Sequence, residues 1–484
     1  MVHVAIPTAS RKRPLAKRKS RVSQLSMKKT IRMITGATAL LLSTSALAAP
    51  SDVMALQDKA LQDDIAYDIV EGLTTEIGPR QAGTEAEARA RDWAVAKLKA
   101  LGFSNIRNEP YMMPTWIRGK ETASVVSPFP QKLAVTALGN SASTGDKGLI
   151  ADVVYFPTLA DLMAAADGSL KGKIAFVSHA MKATQDGSSY GAFGPARFVG
   201  PNIAAKKGAA AIVIRSAGTD HHRNPHTGNT NFEKGVTPIP AGALSIPDAE
   251  NLERMVKRGE PVQLKLVLTP QNIGQQESGN VIAELPGSDP SLGMIVIACH
   301  LDSWDLGTGA IDDASGCGII TAAAKHVMAA GQPKRTIRLL WAGAEEVGLW
   351  GGNAYGEARK GDKHALAMES DFGADRVWRV DFNLPETAKP LADQIAGALQ
   401  PLGIGRGQQP ASGGADVQAI IRNNNLAVID LQQDGTRYFD LHHTPDDTLD
   451  KIDPEQLRQN VAAWATVLSI VGNSDADLTM PAKE

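Results

Sequence analysis

Apolar residues fall three and four apart at Ala90, Trp93, Ala94, Leu98 and Leu101, with Arg91, Lys97 and Lys99 between them. That period predicts an amphipathic helix, opened by the capping-box spacing of Thr84 and Glu87 and stopped at Gly102. Beyond residue 118 the texture changes. The short β-like runs Gly148–Phe156, Lys173–His179, Ala209–Arg215 and Val262–Thr269 stand between Gly- and Pro-rich turns. They predict a compact, strand-rich domain inserted at 118–275, with a lengthy, weakly patterned loop near 180–200.

From about 279 to 473 the pattern becomes strand, loop, helix, repeated. Four apolar runs read as buried strands: Gly293–Cys299, Thr336–Ala342, His364–Met368 and Leu426–Leu431. Helical stretches lie between and after them, notably Ala314–Ala330 and a final helix with Asp453 as N-cap and Pro454 in its first turn. There Leu457, Val461, Trp464, Leu468 and Val471 make an apolar stripe. The alternation predicts an α/β fold, a mostly parallel mixed sheet flanked by helices. Residues 49–117 and 276–484 then form two parts of one domain around the insert.

Charge changes the picture at the N-terminus. Residues 1–32 carry ten of the 50 Lys and Arg and none of the 52 acids, so the remainder is acidic and has no electrostatic case for binding nucleic acid. From Met27 a basic start precedes an apolar core, Met33 to Leu42, and the small-x-small site Ala46-Leu47-Ala48. This is the layout of a secretory signal peptide, so residues 1–48 read as basic extension plus signal, and the mature chain as starting near Ala49. The alternatives are an extended signal or an uncleaved anchor. No later segment looks transmembrane, and the expected location is periplasmic or secreted. The two cysteines, Cys299 and Cys317, indicate no disulfide framework and read as buried packing residues.

Chemistry collects where the four strands end. The first run ends in Cys299-His300-Leu301-Asp302, the second in Gly343-Ala344-Glu345-Glu346, and the third in Met368-Glu369-Ser370-Asp371. The fourth is followed shortly by His442-His443-Thr444-Pro445. Open α/β sheets bind ligands outside the carboxyl ends of their strands. The segment HLDSWDLGTGAIDDASG, residues 300–316, adds Asp302, Asp305, Asp312 and Asp313 with no Lys or Arg among them. Like charges this close call for a cation. Imidazole and carboxylate donors suit zinc, and two zincs sharing one carboxylate account for five ligands. We assign His300 and Asp371 to one metal, Glu346 and His443 to the other, and Asp312 as the bridge, with Gly307 and Gly309 letting the loop turn back. Two metals ~3.5–4 Å apart hold a bridging hydroxide and polarise a carbonyl. Glu345 suits the general base, and Asp302 suits the acceptor of the second N–H of His300.

The pieces HLDSWDLGTGAIDD, AGAEEVGLWG, MESDFG and HHTPDDT resemble the co-catalytic zinc peptidase family that includes bacterial zinc aminopeptidases and glutamate carboxypeptidases. With IGPRQAGT near the start and the SPFP and PHTG stretches of the insert, the likeness covers nearly the whole mature chain. It implies a two-zinc peptidase with a helix-flanked sheet and a protease-associated domain as the insert. The roles it implies fall on His300, Asp302, Asp312, Glu345, Glu346, Asp371 and His443. Its pattern also favours His443 over the neighbouring His442 as ligand. It further implies short peptides as substrate, a dipeptidase-like or carboxypeptidase activity, and suggests a homodimer; the lack of a later transmembrane-like segment predicts no membrane partner after signal cleavage. An aminopeptidase on longer peptides and a non-catalytic binding module remain as rival readings. His221, His222 and His226 read as a solvent-exposed or substrate-proximal loop, the glycine-rich turn Ser412–Asp416 as pocket wall, and Tyr438 either as oxyanion partner or as core.

Overall fold

The structure, a computed structural model, describes residues 50–482. The signal-peptide reading lies outside them. Eight strands build the first sheet, in the order Ser104–Ile117, Gln271–Leu285, Ile337–Ala342, Met294–His300, His364–Glu369, Ala427–Gln433, Val377–Asn383, Gly405–Arg406. The three ladders among Ile337–Ala342, Met294–His300, His364–Glu369 and Ala427–Gln433 are parallel. These are the four runs expected from apolar patterning, and their near-continuous apolar character fits strands buried on both faces.

Alternate residues feed two cores, as strand geometry requires. Ile295, Ile297, Cys299, Leu339 and Trp341 face the helices Ser315–Ala330 and Pro454–Gly472. Val296, Ala298, Leu340 and Ala342 face Tyr355 and Ile420, on the helices Trp350–Ala358 and Gln418–Asn424. The final helix is capped by Asp453, whose carboxylate accepts the N–H groups of Glu455 and Gln456.

The other four strands of this sheet escape the sequence pattern: Val377–Asn383 and Gly405–Arg406 at one edge and two longer ones at the other. Ser104–Ile117 carries Pro110 and Pro114, which argue against a central strand; it lies at the sheet edge, where a missing N–H is tolerated. Its antiparallel partner Gln271–Leu285 opens with a polar, exposed run and crosses the expected boundary at 275/276.

Strands within residues 121–268 build a second eight-stranded sheet. It too is covered by helices, Ile246–Val256 on one face and Tyr190–Phe198 with Gly200–Lys206 on the other. Residues 190–198, expected as loop, are therefore helical. Gly191, Gly194 and Pro195 obscure the period there. Arg118 ties this sheet to the loop after His300: it pairs with Asp305 at 2.8 Å and Glu121 at 2.7 Å, between the rings of Trp116 and Trp304. Among the described residues no helix is long and apolar enough to cross a membrane.

Cys299 and Cys317 form a disulfide, so the expectation of two unpaired packing cysteines is wrong. Both are buried, as expected; the pairing follows from the helix Ser315–Ala330 crossing directly against the strand Met294–His300, which sequence spacing does not reveal.

Candidate active site

Register sets the site. His300 stands opposite Ala342, and Ala298 opposite Glu369, so the residues just past these strand ends emerge at one level. His300 Nε2 lies 2.9 Å from Asp312 Oδ1 and 3.5 Å from Asp371 Oδ1. His443 Nε2 lies 3.0 Å from Asp312 Oδ2 and 2.9 Å from Glu346 Oε2. The five expected ligands thus form one continuous array, Asp371, His300, Asp312, His443, Glu346. Asp312 sits at its middle, one oxygen toward each histidine. His443 reaches the array with φ 57°, a left-handed conformation uncommon for a residue with a side chain.

Asp302 does something other than expected. His300 Nδ1 donates to the Asp302 backbone carbonyl at 2.9 Å, and the carboxylate stays 3.6 Å away. That carboxylate instead accepts the Glu345 N–H at 3.0 Å. A single residue therefore fixes the His300 tautomer through its carbonyl and the Glu345 turn through its side chain. The Glu345 carbonyl in turn accepts the N–H groups of Gly348 and Leu349 at 3.0 and 2.9 Å.

The loop 301–309 is held by a residue the sequence did not single out. Arg80, fully buried, donates to the carbonyls of Leu301 at 2.6 Å, Thr308 at 2.6 Å and Gly309 at 2.8 Å. Gly309 has φ 63°, and a Cβ there would meet Ser303 at 2.4 Å, so the turn requires glycine. Asp447 accepts the Ile311 N–H at 2.6 Å, and Asp313 accepts the His300 N–H at 3.1 Å. Both residues lie inside quoted motifs, which was the available signal for them. For Arg80 the signal was only its place in IGPRQAGT.

Burial dominates the electrostatics. It pushes the carboxyls of Glu345 and Glu346 well above the usual range, and nearby acids add to the effect, Asp371 and Asp312 at Glu345, Asp312 and Glu345 at Glu346. It also raises Asp371 and Asp313. Burial acts against the Asp312 carboxylate too, but hydrogen bonds from His300 and His443 outweigh it and hold that group well below its ordinary value. At His300 burial opposes the charge, yet Asp371, Asp302 and Asp312 win and raise it. Asp302, Asp312, Asp313, Glu345, Glu346 and Asp371 crowd around two imidazoles, and a divalent cation would hold them in their charged form. Glu346 Oε1 and Asp302 Oδ2 are buried and receive no hydrogen bond. This donor set of imidazole and carboxylate, with an unused oxygen, fits zinc.

Asp312, Glu345, Glu346, Asp371 and His443 line a cavity of about 610 Å³. Its other wall comes from Tyr438 and Phe439 on the short helix Tyr438–Leu441, Tyr190 and Arg197 on the helix Tyr190–Phe198, and Asn229 and Asn231 on a loop of the insert. Tyr190 stacks on Phe439 with centroids 4.5 Å apart, and Tyr438 on His442 at 4.1 Å. Ala415 of the glycine-rich turn also lines it. His442 is buried beside His443, its Nε2 3.2 Å from His226 Nε2. The three insert histidines separate: His221 is exposed, His222 reaches the Asp440 carbonyl at 2.8 Å, and His226 is buried against His442.

The sequence profile of Peptidase family M28 matches residues 280–468. Carboxypeptidase Q of Bos taurus is 32% identical over 411 residues, which is 84% of this chain and 85% of that protein. A solved peptidase M28 precursor from Shewanella amazonensis SB2B shares 46% identity, with a TM-score of 0.87 over 90% of this chain and 99% of that one. A zinc aminopeptidase from Bacillus subtilis has a TM-score of 0.61 at 19% identity, over 86% of this chain and 96% of its own, a likeness of fold.

Proposed function

Since this chain belongs to peptidase family M28 and is a zinc metallopeptidase, we propose that it is a dinuclear exopeptidase acting on short peptides, dipeptides foremost. One observation carries the reading: the two oxygens of Asp312 face His300 and His443 at 2.9 and 3.0 Å. His300 with Asp371 would hold one zinc, His443 with Glu346 the other, and Asp312 both. Zinc in such a site lowers the pKa of water and polarises the scissile carbonyl.

The remaining work falls to the chain. Glu345, adjacent to Glu346 and on the cavity wall, takes the proton of the attacking water and passes it to the leaving amine. Asp302 holds Glu345 by its N–H and His300 by its Nδ1–H, so base and ligand keep a fixed relation. The aromatic wall of Tyr190, Tyr438 and Phe439 excludes water around the peptide.

We read residues 118–275 as an inserted protease-associated-type domain between the two parts of the peptidase domain, 49–117 and 276–484. The second sheet, confined to 121–268, supports this. The chain works in the periplasm or outside the cell. Its buried disulfide supports an oxidising compartment.

The test is hydrolysis of a set of free dipeptides before chelation, after it, and after zinc is restored. Chelator-sensitive cleavage that zinc restores is expected. Cleavage unaffected by chelation, or none at any zinc level, removes the reading.

A further inference from the structure

The two proposed metal positions are held differently. His300 is fixed from within the peptidase part, by the Asp302 carbonyl and the Asp313 carboxylate. Among the described residues, no hydrogen bond from residues 118–275 reaches His300 or Asp371. His443 is gripped from the insert. Thr227 donates its N–H to the His443 carbonyl at 2.9 Å. The Thr227 carbonyl lies 3.4 Å from His443 Nδ1, with Arg197 Nη1 beside it at 3.0 Å. A metal-ligating imidazole gives its second N–H to an acceptor, and the Thr227 carbonyl is the acceptor that faces this one.

The loop that carries Thr227 runs in step with the segment that carries His443. It follows the strand Ala211–Arg215 of the second sheet. Thr219 and Asp220 meet Asp440, on the short helix Tyr438–Leu441. One Asp440 oxygen accepts both of their N–H groups, that of Asp220 at 3.2 Å, and the other accepts the Thr219 hydroxyl at 2.9 Å. His222 then donates to the Asp440 carbonyl at 2.8 Å, His226 reaches His442, and Thr227 reaches His443. The approach at Asp440 is close. Gly218 has φ 112°, and a Cβ there would stand 2.9 Å from Asp440 Oδ1 and 3.1 Å from the Phe439 carbonyl. His443 itself has φ 57°, a conformation that persists where its surroundings fix it.

We propose that Asp440 is a positioning residue that clasps the insert loop to the His443 segment, and so sets the affinity of the metal position formed by His443 and Glu346 alone. This rests on the dinuclear reading above and deepens it. The position at His300 and Asp371 belongs to the peptidase part. The position at His443 and Glu346 is complete only with the insert docked, and it is the one that loses zinc when the clasp is broken.

The experiment measures zinc binding to metal-free protein by competition with a chelating indicator, resolving one dissociation constant per zinc. Glu346→Ala, which removes a ligand from one position, identifies which step belongs to it. The expected result is that Asp440→Ala weakens that step by about 10- to 100-fold, the usual effect of losing an outer partner of a ligand, and leaves the other step unchanged. Asp440→Asn keeps an acceptor oxygen for the two N–H groups and should recover most of the affinity. Gln185→Ala breaks a different contact between insert and peptidase part, the 2.9 Å hydrogen bond to Asp434, and should move neither step. Equal weakening of both steps in Asp440→Ala, or of neither, would overturn the proposal. So would a Gln185→Ala protein that weakens the same step as much. If Asp440→Ala does not fold, Thr219→Val decides: it removes one donor to Asp440, and the step at Glu346 must weaken for the proposal to stand. A wild type that binds a single zinc defeats the dinuclear reading and this proposal with it. That failure shows in the wild type, whereas failure of the clasp alone shows only in the variants.

Discussion

Cys299 is disulfide-bonded to Cys317, joining the residue before His300 to a helix that starts just after Asp313. The bond spans 18 residues that contain Asp302, Asp305 and Asp312. Closing a loop of that size restricts the unfolded chain and stabilises by about 3 kcal/mol. Replacing both cysteines with alanine should lower the unfolding free energy by that order. Denaturant titration of zinc-free protein checks it; equal midpoints for the two proteins would mean the bond contributes nothing.

Glu345→Gln removes the proposed proton carrier and leaves the ligand array in place. Turnover of a dipeptide should fall by about 10²-fold or more while zinc content stays at the wild-type level. A variant with near-normal kcat would take Glu345 out of that role.

Arg80→Leu would leave the buried carbonyls of Leu301, Thr308 and Gly309 without their donor. Each orphaned acceptor costs about 1–3 kcal/mol. Thermal unfolding should show a large loss, and zinc should bind more weakly, because the clamped loop carries Asp302 and leads into Asp312. Arg80→Lys should rescue little, since one ammonium cannot span three carbonyls. Full stability in either variant would show the clamp to be dispensable.

A pH effect away from the metal site follows from His364. Burial, with Arg338 adding, pushes its pKa down from 6.5 to about 4. Tyr355 Oη lies 2.8 Å from its Nε2 and the Asp362 carbonyl 3.2 Å from its Nδ1, a pairing that suits the neutral ring. Between pH 4 and 6.5 the unfolded chain binds the proton and the folded one does not, so this residue's contribution falls as pH drops through that window. The effect is of order 3 kcal/mol at full development. Wild type should lose stability between pH 7 and 4.5 more steeply than His364→Gln. Parallel pH curves for the two would contradict the assignment.

Legibility in the sequence followed the kind of signal each residue left. The central strands were readable because Ile295 to Cys299 and Ile337 to Ala342 are buried on both faces and so apolar throughout, Arg338 excepted. The ligands were readable because they directly follow such runs, at the strand ends or a short loop beyond. The edge strand with Pro110 and Pro114 and the helix with Gly191, Gly194 and Pro195 were not, because their residues oppose the conformation that tertiary packing imposes. Arg80 and Arg197 left no periodic trace. Arg80 acts on residues more than 220 positions away, and Arg197 touches His443, 246 positions away. The Cys299–Cys317 pair depends on a strand-to-helix crossing that spacing alone does not encode.

The central claim is one carboxylate shared by two metals. Zinc per chain, measured on wild type and Asp312→Ala after equilibration with limiting free zinc, tests it most directly. The account predicts two zincs in the wild type and close to none in the variant. A wild type holding one zinc, or an Asp312→Ala protein that keeps its full zinc content, would contradict it.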